Sequence, residues 1–378
     1  MPVQYFPHLG SEMHMGMYTI TPLCGYGTRP AKADIILLVS LCPYNFTQLY
    51  KTLKGFSAMQ YIILPHTDLK LSQIILGTDY FGTSRSKETS FAIMDAYWEH
   101  GGNVLDTARV YGAWFPGGDG ASETTVGEYV KSRGIRNQCI ISSKAGHPPL
   151  DNMHTGRLSR MEIESDIDVG LSKLGTDYID ILWLHRDDLS RPVEDILETL
   201  HAMVQKGKIR CYGASNWTAA RLAEANQYAV SHGMLPFVAS QIQWSLAQCT
   251  GLADDTLVLM NDAEEKFYAQ SGLPVFAYSS QAKGFFEKYD QKRLEGKAYD
   301  RYLSEENLQR YRHLKELSLE SGLSLSALSI AYLMSNETFP VFPIIGASRP
   351  EQVQDSMQAS NFPIPDAIRQ WREADAVH

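Results

Sequence analysis

The chain has 378 residues, with 34 Lys+Arg against 43 Asp+Glu for a formal net charge of −9, and is 44% hydrophobic and 20% charged. That length admits two or three average domains or one large barrel, and the composition excludes a disordered chain. The acidic balance argues against nucleic acid as a partner, and no stretch reaches the ~18 consecutive apolar residues of a membrane span.

Residues 1–58 hold two acids, Glu12 and Asp34, and four Lys/Arg, and show no sustained period. Their apolar run over 35–42 lies too far along the chain for a signal peptide and lacks a small-residue cleavage site. The segment reads as a poorly integrated extension or an early start assignment with Met59 as the natural start. An ordered lid or oligomer arm is the competing reading. The five cysteines (Cys24, Cys42, Cys139, Cys211, Cys249) are odd in number and lack CxxC spacing. They exclude a disulfide framework and a zinc site, and fit a cytoplasmic location.

From Met59 to residue 378 strand-like and helix-like segments alternate. Strands are expected over 74–77, 103–106, 139–144, 179–185, 209–214, 238–243, 275–279 and 341–345. Helices are expected over 87–100, 121–133, 163–174, 193–204, 219–231, 255–270, 305–320, 326–334 and 351–359. Ser159 and Glu162 have the spacing of a capping box ahead of the third helix. Val193, Ile196, Leu197, Leu200, Met203 and Val204 form one apolar stripe stopped at Gly207. Glu264, Glu265 and Lys266 read as a solvated helix face. Strands that alternate with helices pair in parallel, because each helix crosses back over the sheet. An open doubly wound sheet usually carries GxGxxG after its first strand, and none follows 74–77. Eight strands therefore point to a single (β/α)8 TIM barrel, whose chemistry lies at the C-terminal strand ends.

Those ends carry Asp106, Lys144 and His185, with Tyr111 five residues past Asp106. Each alone has a structural reading as a cap or a solvated side chain. Together they are complementary. An ammonium beside a tyrosine draws its pKa down from ~10, an aspartate keeps that ammonium charged in a dry pocket, and an imidazole orients a carbonyl oxygen.

At these residues the chain resembles the aldo-keto reductases over 59 to about 360. The stretch Met59 to Thr78 is similar to the family's opening hairpin and first strand. Asn103-Val-Leu-Asp106-Thr-Ala-Arg-Val-Tyr111-Gly resembles its catalytic signature, and Lys144 and His185 complete the tetrad. The resemblance implies that Ser215, Asn216 and Gln241 hold a nicotinamide carboxamide, that Tyr278 stacks on the ring, and that Ser279 borders the pyrophosphate. It further implies that Ser348, Arg349, Gln352 and Asp355 hold the adenosine end.

Three departures stand out. Nine residues, 113–121, separate Tyr111-Gly112 from Ser122-Glu123, and their Trp114 and Phe115 are candidates for the substrate pocket as an aromatic flap. Tyr278-Ser-Ser-Gln281 replaces the common Tyr-Ser-Pro-Leu, and Gly346 replaces a lysine common at the 2′-phosphate site. Arg349 at a helix start still favours NADP(H) over NAD(H), although Glu351 opposes a phosphate. His147, just after Lys144, is a candidate to reach the pocket, although a loop histidine is commonly structural. The expectation is an NADPH-dependent oxidoreductase that reduces an aldehyde, ketone or sugar-like carbonyl, with Tyr111 as general acid. A cofactor-binding subunit of the potassium-channel β type and a Lys144 Schiff-base aldolase are the alternatives.

Overall fold

Eight parallel strands close into a barrel in the computed structural model, which describes residues 59–251, 254–361, 367, 368 and 370. The extension read over 1–58 lies outside the described residues. A hairpin of β1 (Tyr61–Ile63) and β2 (Lys70–Ser72) precedes the barrel. Barrel strands follow in chain order: β3 (Ile75–Gly77), β4 (Val104–Asp106), β5 (Ile140–Ala145), β6 (Ile179–Leu184), β7 (Ile209–Ser215), β8 (Ser240–Gln243), β9 (Val275–Tyr278) and β10 (Val341–Ile345). Strand β10 pairs with β3 to complete the ring.

The barrel strands are buried on both faces over almost their whole length, as parallel strands under helices must be. In β6, Ile181 and Trp183 enter the barrel interior with Phe276 and Phe342, while the alternate residues Leu182 and Leu184 pack into the cluster under the surrounding helices. Leu64, Leu69 and Leu71 of the hairpin segment join the interior cluster. Trp183 fills that interior so closely that a Cβ on Gly213 of β7 would lie 2.4 Å from its ring.

The helices between strands are α1 (Lys87–Glu99), α2 (Ala121–Arg133), α3 (Arg160–Leu174), α4 (Val193–Gln205), α5 (Ala219–Ser231) and α6 (Asp262–Ser271). After β9 come α7 (Phe285–Asp290), α8 (Gly296–Tyr302), α9 (Glu305–Ser321) and α10 (Leu325–Met334), and α11 (Pro350–Asn361) follows β10. The capping box forms as its spacing requires: Ser159 and Glu162 satisfy each other's backbone donors at the start of α3. Among the described residues no single helix is long and apolar enough to cross a membrane.

The helix expected over 255–270 starts only at Asp262, capped by Asn261. Residues 254–260 are held by other partners. Val258 and Gln243 exchange backbone contact as Gln243 N–H donates to Val258 O (3.0 Å), Met260 N–H donates to Gln243 O (3.0 Å), and Val258 N–H donates to Asn216 Oδ1 (3.1 Å). These tertiary bonds outcompete the apolar period of Leu257 to Met260. The short helices α7 and α8 carry no period that sequence reading resolves. Glu264 is also buried: its carboxylate accepts from Ala219 N–H at 2.9 Å, at the first turn of α5, where free donors and the helix dipole favour an anion.

Candidate active site

Asp106 ends β4, Lys144 lies in β5, His185 follows β6, and Tyr111 stands on the loop after β4. Neighbouring parallel strands therefore bring the four together. Lys144 Nζ donates to Asp106 Oδ2 at 2.6 Å and to Thr107 O at 3.0 Å. Both side chains are almost wholly buried, so the pair needs its further hydrogen bonds. Asp106 Oδ1 accepts from Ser142 Oγ (2.9 Å) and Gln241 Nε2 (3.1 Å), and Trp183 Nε1 donates to Ser142 Oγ (2.6 Å). Gln241 thus braces Asp106 with one amide proton.

The Lys144 ammonium sits 4.6 Å from the centre of the Tyr111 ring. The His185 ring lies edge-on to Tyr111 at 5.9 Å, and His147 lies edge-on to His185 at 4.5 Å. Removal from water pushes the Tyr111 phenol well above its ordinary pKa, with the Asp106 and Asp79 charges adding to the rise. This reverses the sign expected from a neighbouring ammonium. Burial outweighs the cation, so Tyr111 keeps its proton. Burial also lowers Lys144, against the opposing pull of Asp106. His185 is driven well below the ordinary imidazole range by burial, then by His147 and Arg186, and is neutral at pH 7. His147 is lowered to about 4 by burial, and its Nδ1 lies 2.6 Å from Pro148 O, a contact that fits a proton on Nδ1.

Ser215 ends β7 and Asn216 follows it. Asn216 adopts a left-handed φ of 61°, and its amide is fully engaged. Nδ2 donates to Ser215 Oγ (3.1 Å) and His185 O (3.3 Å), while Oδ1 accepts from Val258 N–H (3.1 Å) and the Tyr278 hydroxyl (2.7 Å). A carboxamide bound here must displace one of these partners. After β9, Ser279, Ala282 and Lys283 all have positive φ (55°, 49° and 56°), a concentration of backbone strain characteristic of ligand-gripping turns. Gln281, the departure from Tyr-Ser-Pro-Leu, ties this turn to the far side of the mouth. It donates to Ser326 Oγ (2.6 Å) and Ser356 Oγ (3.0 Å) and accepts from Gly346 N–H (3.2 Å).

At the start of α11, Gln352 Oε1 accepts from Ser348 N–H (2.7 Å) and Oγ (2.9 Å). Arg349 is 68% exposed, with Glu351 3.8 Å away and itself turned to solvent. Asp355 accepts from Ser324 Oγ at 2.7 Å. A Cβ on Gly346 would meet nothing within 4 Å, so this end of the site is open.

The inserted loop is a series of turns closed at its base, where Gly120 N–H donates to Arg109 O (2.9 Å) and Arg109 pairs with Asp119 (3.2 Å). Trp114 and Phe115 both pack edge-on against Tyr80, at 5.9 and 6.4 Å. Tyr80 follows β3 and was not singled out from the sequence, and neither were Asp79 and Arg186, although both also stand just past strand ends. Arg186 is buried and pairs with Asp254 (3.4 Å), Thr256 (3.0 Å) and the His185 carbonyl (2.8 Å).

A family model described as "Aldo/keto reductase family" matches residues 73–376. A norsolorinic acid reductase of Emericella nidulans is 28% identical over 319 residues, spanning 81% of this chain and 78% of the relative. Norsolorinic acid reductase B of Aspergillus parasiticus is 29% identical over 320 residues, 80% of each chain. An aryl-alcohol dehydrogenase [NADP(+)] of Phanerodontia chrysosporium is 28% identical over 330 residues, covering 79% of this chain and 80% of the relative.

Proposed function

The chain belongs to the aldo/keto reductase family, an oxidoreductase enzyme, and from that premise we propose that it reduces a bulky aromatic aldehyde or ketone with NADPH, Tyr111 acting as the general acid. The observation that carries this reading is the Tyr111 ring 4.6 Å from the ammonium of the buried Lys144–Asp106 pair, and burial favours the protonated phenol.

The open space at Gly346, the strained turn after β9 and the exposed guanidinium of Arg349 fit a dinucleotide laid across the mouth. Ser215, Asn216, Gln241 and Tyr278 would hold its nicotinamide, Ser279 its pyrophosphate, and Ser348, Arg349, Gln352 and Asp355 its adenosine end. When bound, the reduced nicotinamide supplies the hydride. Everything else falls to this chain. Neutral His185 orients the carbonyl oxygen by a hydrogen bond. Tyr111 gives its hydroxyl proton to that oxygen as negative charge develops, a role worth ~10²–10⁴ in rate. Lys144 stabilises the phenolate left behind, and Asp106 keeps Lys144 charged and in place. Burial of these groups strengthens each interaction relative to water.

The aromatic substrate class rests on the Tyr80, Trp114 and Phe115 rings, and on relatives named for norsolorinic acid and aryl alcohols. The test is a panel of aromatic and aliphatic aldehydes, ketones and sugars, followed by oxidation of each reduced nicotinamide. Turnover of aromatic carbonyls with NADPH, lost in Tyr111→Phe, is expected. A panel without turnover, or one in which Tyr111→Phe works as well as the wild type, would remove the reading.

A further inference from the structure

Outside the tetrad, a buried acid stands against the outward-facing Ser143 of the strand that carries Lys144. Glu123 of α2 is 1% exposed. Its Oε1 accepts from Ser143 Oγ at 2.5 Å, and its Oε2 is buried with no hydrogen-bond partner among the described residues. Helix α3 faces the carboxyl with Gly170, where a Cβ would lie 3.0 Å from Oε1. Alternation along β5 explains the placement. Ser142 and Lys144 turn into the barrel onto Asp106, and Ser143 between them turns outward onto Glu123.

The charged groups that act on Glu123 come from three directions: Arg109 on the loop after β4, Asp166 on α3 and, from the opposite face of β5, Lys144. Burial raises the carboxyl to about 7, the Ser143 hydrogen bond and Arg109 oppose the rise, and Asp166 adds to it. Lys144 in turn has its ammonium disfavoured by burial and supported by Asp106, Asp79 and Glu123.

We propose that Glu123 is a positioning residue of the reductase site, its carboxylate sustaining the positive charge of Lys144 through β5 as pH rises. This rests on the reading of Lys144 as an ammonium that serves Tyr111. The sign follows from the order of events. At low pH Glu123 is neutral and Lys144 needs no help. As pH rises Glu123 ionises, and the new charge delays deprotonation of Lys144. Removing it exposes Lys144 to earlier loss of its proton.

The experiment is the pH profile of kcat for carbonyl reduction in the wild type and in Glu123→Gln, which keeps the shape and removes the charge. The alkaline limb of Glu123→Gln should move to lower pH by about half a unit or more, the effect of one charge through a partly screened interior. Ser143→Ala, which removes a donor to the carboxylate, should move the limb the same way by less. Infrared spectra of the wild type should show a protonated carboxyl band that disappears as pH rises through neutrality and is missing in Glu123→Gln. A folded Glu123→Gln with an unmoved limb would overturn the proposal, as would a wild type without the titrating band. If Glu123→Gln does not fold, Ser143→Ala and the wild-type infrared titration decide. Carbonyl reduction that survives Lys144→Ala would instead defeat the functional reading, a result that the infrared titration, needing no turnover, keeps separate from the ionisation of Glu123.

Discussion

Lys144 holds its ammonium 4.6 Å from the centre of the Tyr111 ring. Its hydrogen bonds go to Asp106 and Thr107, so it acts on Tyr111 as a charge against the π face. Burial keeps the phenol protonated, and under the proposed function it gives that proton to a substrate oxygen. On that proposal, a buried phenol that holds its proton and a cation placed for the resulting phenolate are complementary halves of one acid.

Tyr111→Phe separates those halves, since it keeps the ring over Lys144 and deletes only the hydroxyl. Single-turnover carbonyl reduction should slow ~10²–10⁴-fold, and NADPH affinity, measured by protein fluorescence, should hardly change. A variant with near-native single-turnover rates would assign the proton to another group.

Stability should depend on pH through His147. Its folded pKa of about 4 lies below the ordinary 6.5 because burial disfavours the cation. Between those values the unfolded chain binds more protons, so stability is full above pH 6.5 and falls as pH drops toward 4, by about 1–3 kcal/mol for this group. His185 shifts in the same direction, so His147→Gln should reduce the acid slope without abolishing it. Urea midpoints from pH 4 to 8 read this directly. A slope unchanged in the variant would mean that His147 titrates normally.

Trp114 is 46% exposed yet packs against Tyr80, a surface ring with a partner and a free face. Trp114→Ala should raise KM for a polycyclic aromatic ketone by about tenfold, the scale of one lost aromatic contact, and leave a short aliphatic aldehyde nearly unaffected. Equal changes for both substrates would show that the rings only support the loop.

Under the proposed function, preference between the two nicotinamides rests on Arg349. A guanidinium–phosphate contact contributes on the order of 1.5–3 kcal/mol, a tenfold to hundredfold preference for NADPH over NADH. Arg349→Ala should erase most of that preference and leave NADH binding little changed. Glu351 lies 3.8 Å from the guanidinium, so Glu351→Gln should strengthen NADPH binding modestly. Dissociation constants for both nucleotides decide; NADH preferred by the wild type would refute the assignment.

Much of the site was legible because strand-end position is a local property. Asp106, Lys144 and His185 each close an apolar run, and a barrel turns such positions toward one mouth. The same rule reaches Asp79 and Arg186, which sequence reading passed over because single charged residues beside loops are usually solvated. Glu264, read as part of a solvated helix face, was misjudged for a related reason. Whether a polar side chain is solvated depends on what packs over it, and the covering residues are distant in the chain, as Ala219 is from Glu264.

The sequence by itself determined the alternation of strands and helices, the count of eight that closes the barrel, and the order in which the tetrad appears. Those follow from periodicity and capping, which act over a few residues. Only the tertiary structure decided that residues 254–260 leave the helix to cover Asn216, that Gln241 braces Asp106 from 135 positions away, and that Tyr111 is raised and not lowered in pKa. Each depends on which groups lose water together, and desolvation is set by the assembled fold.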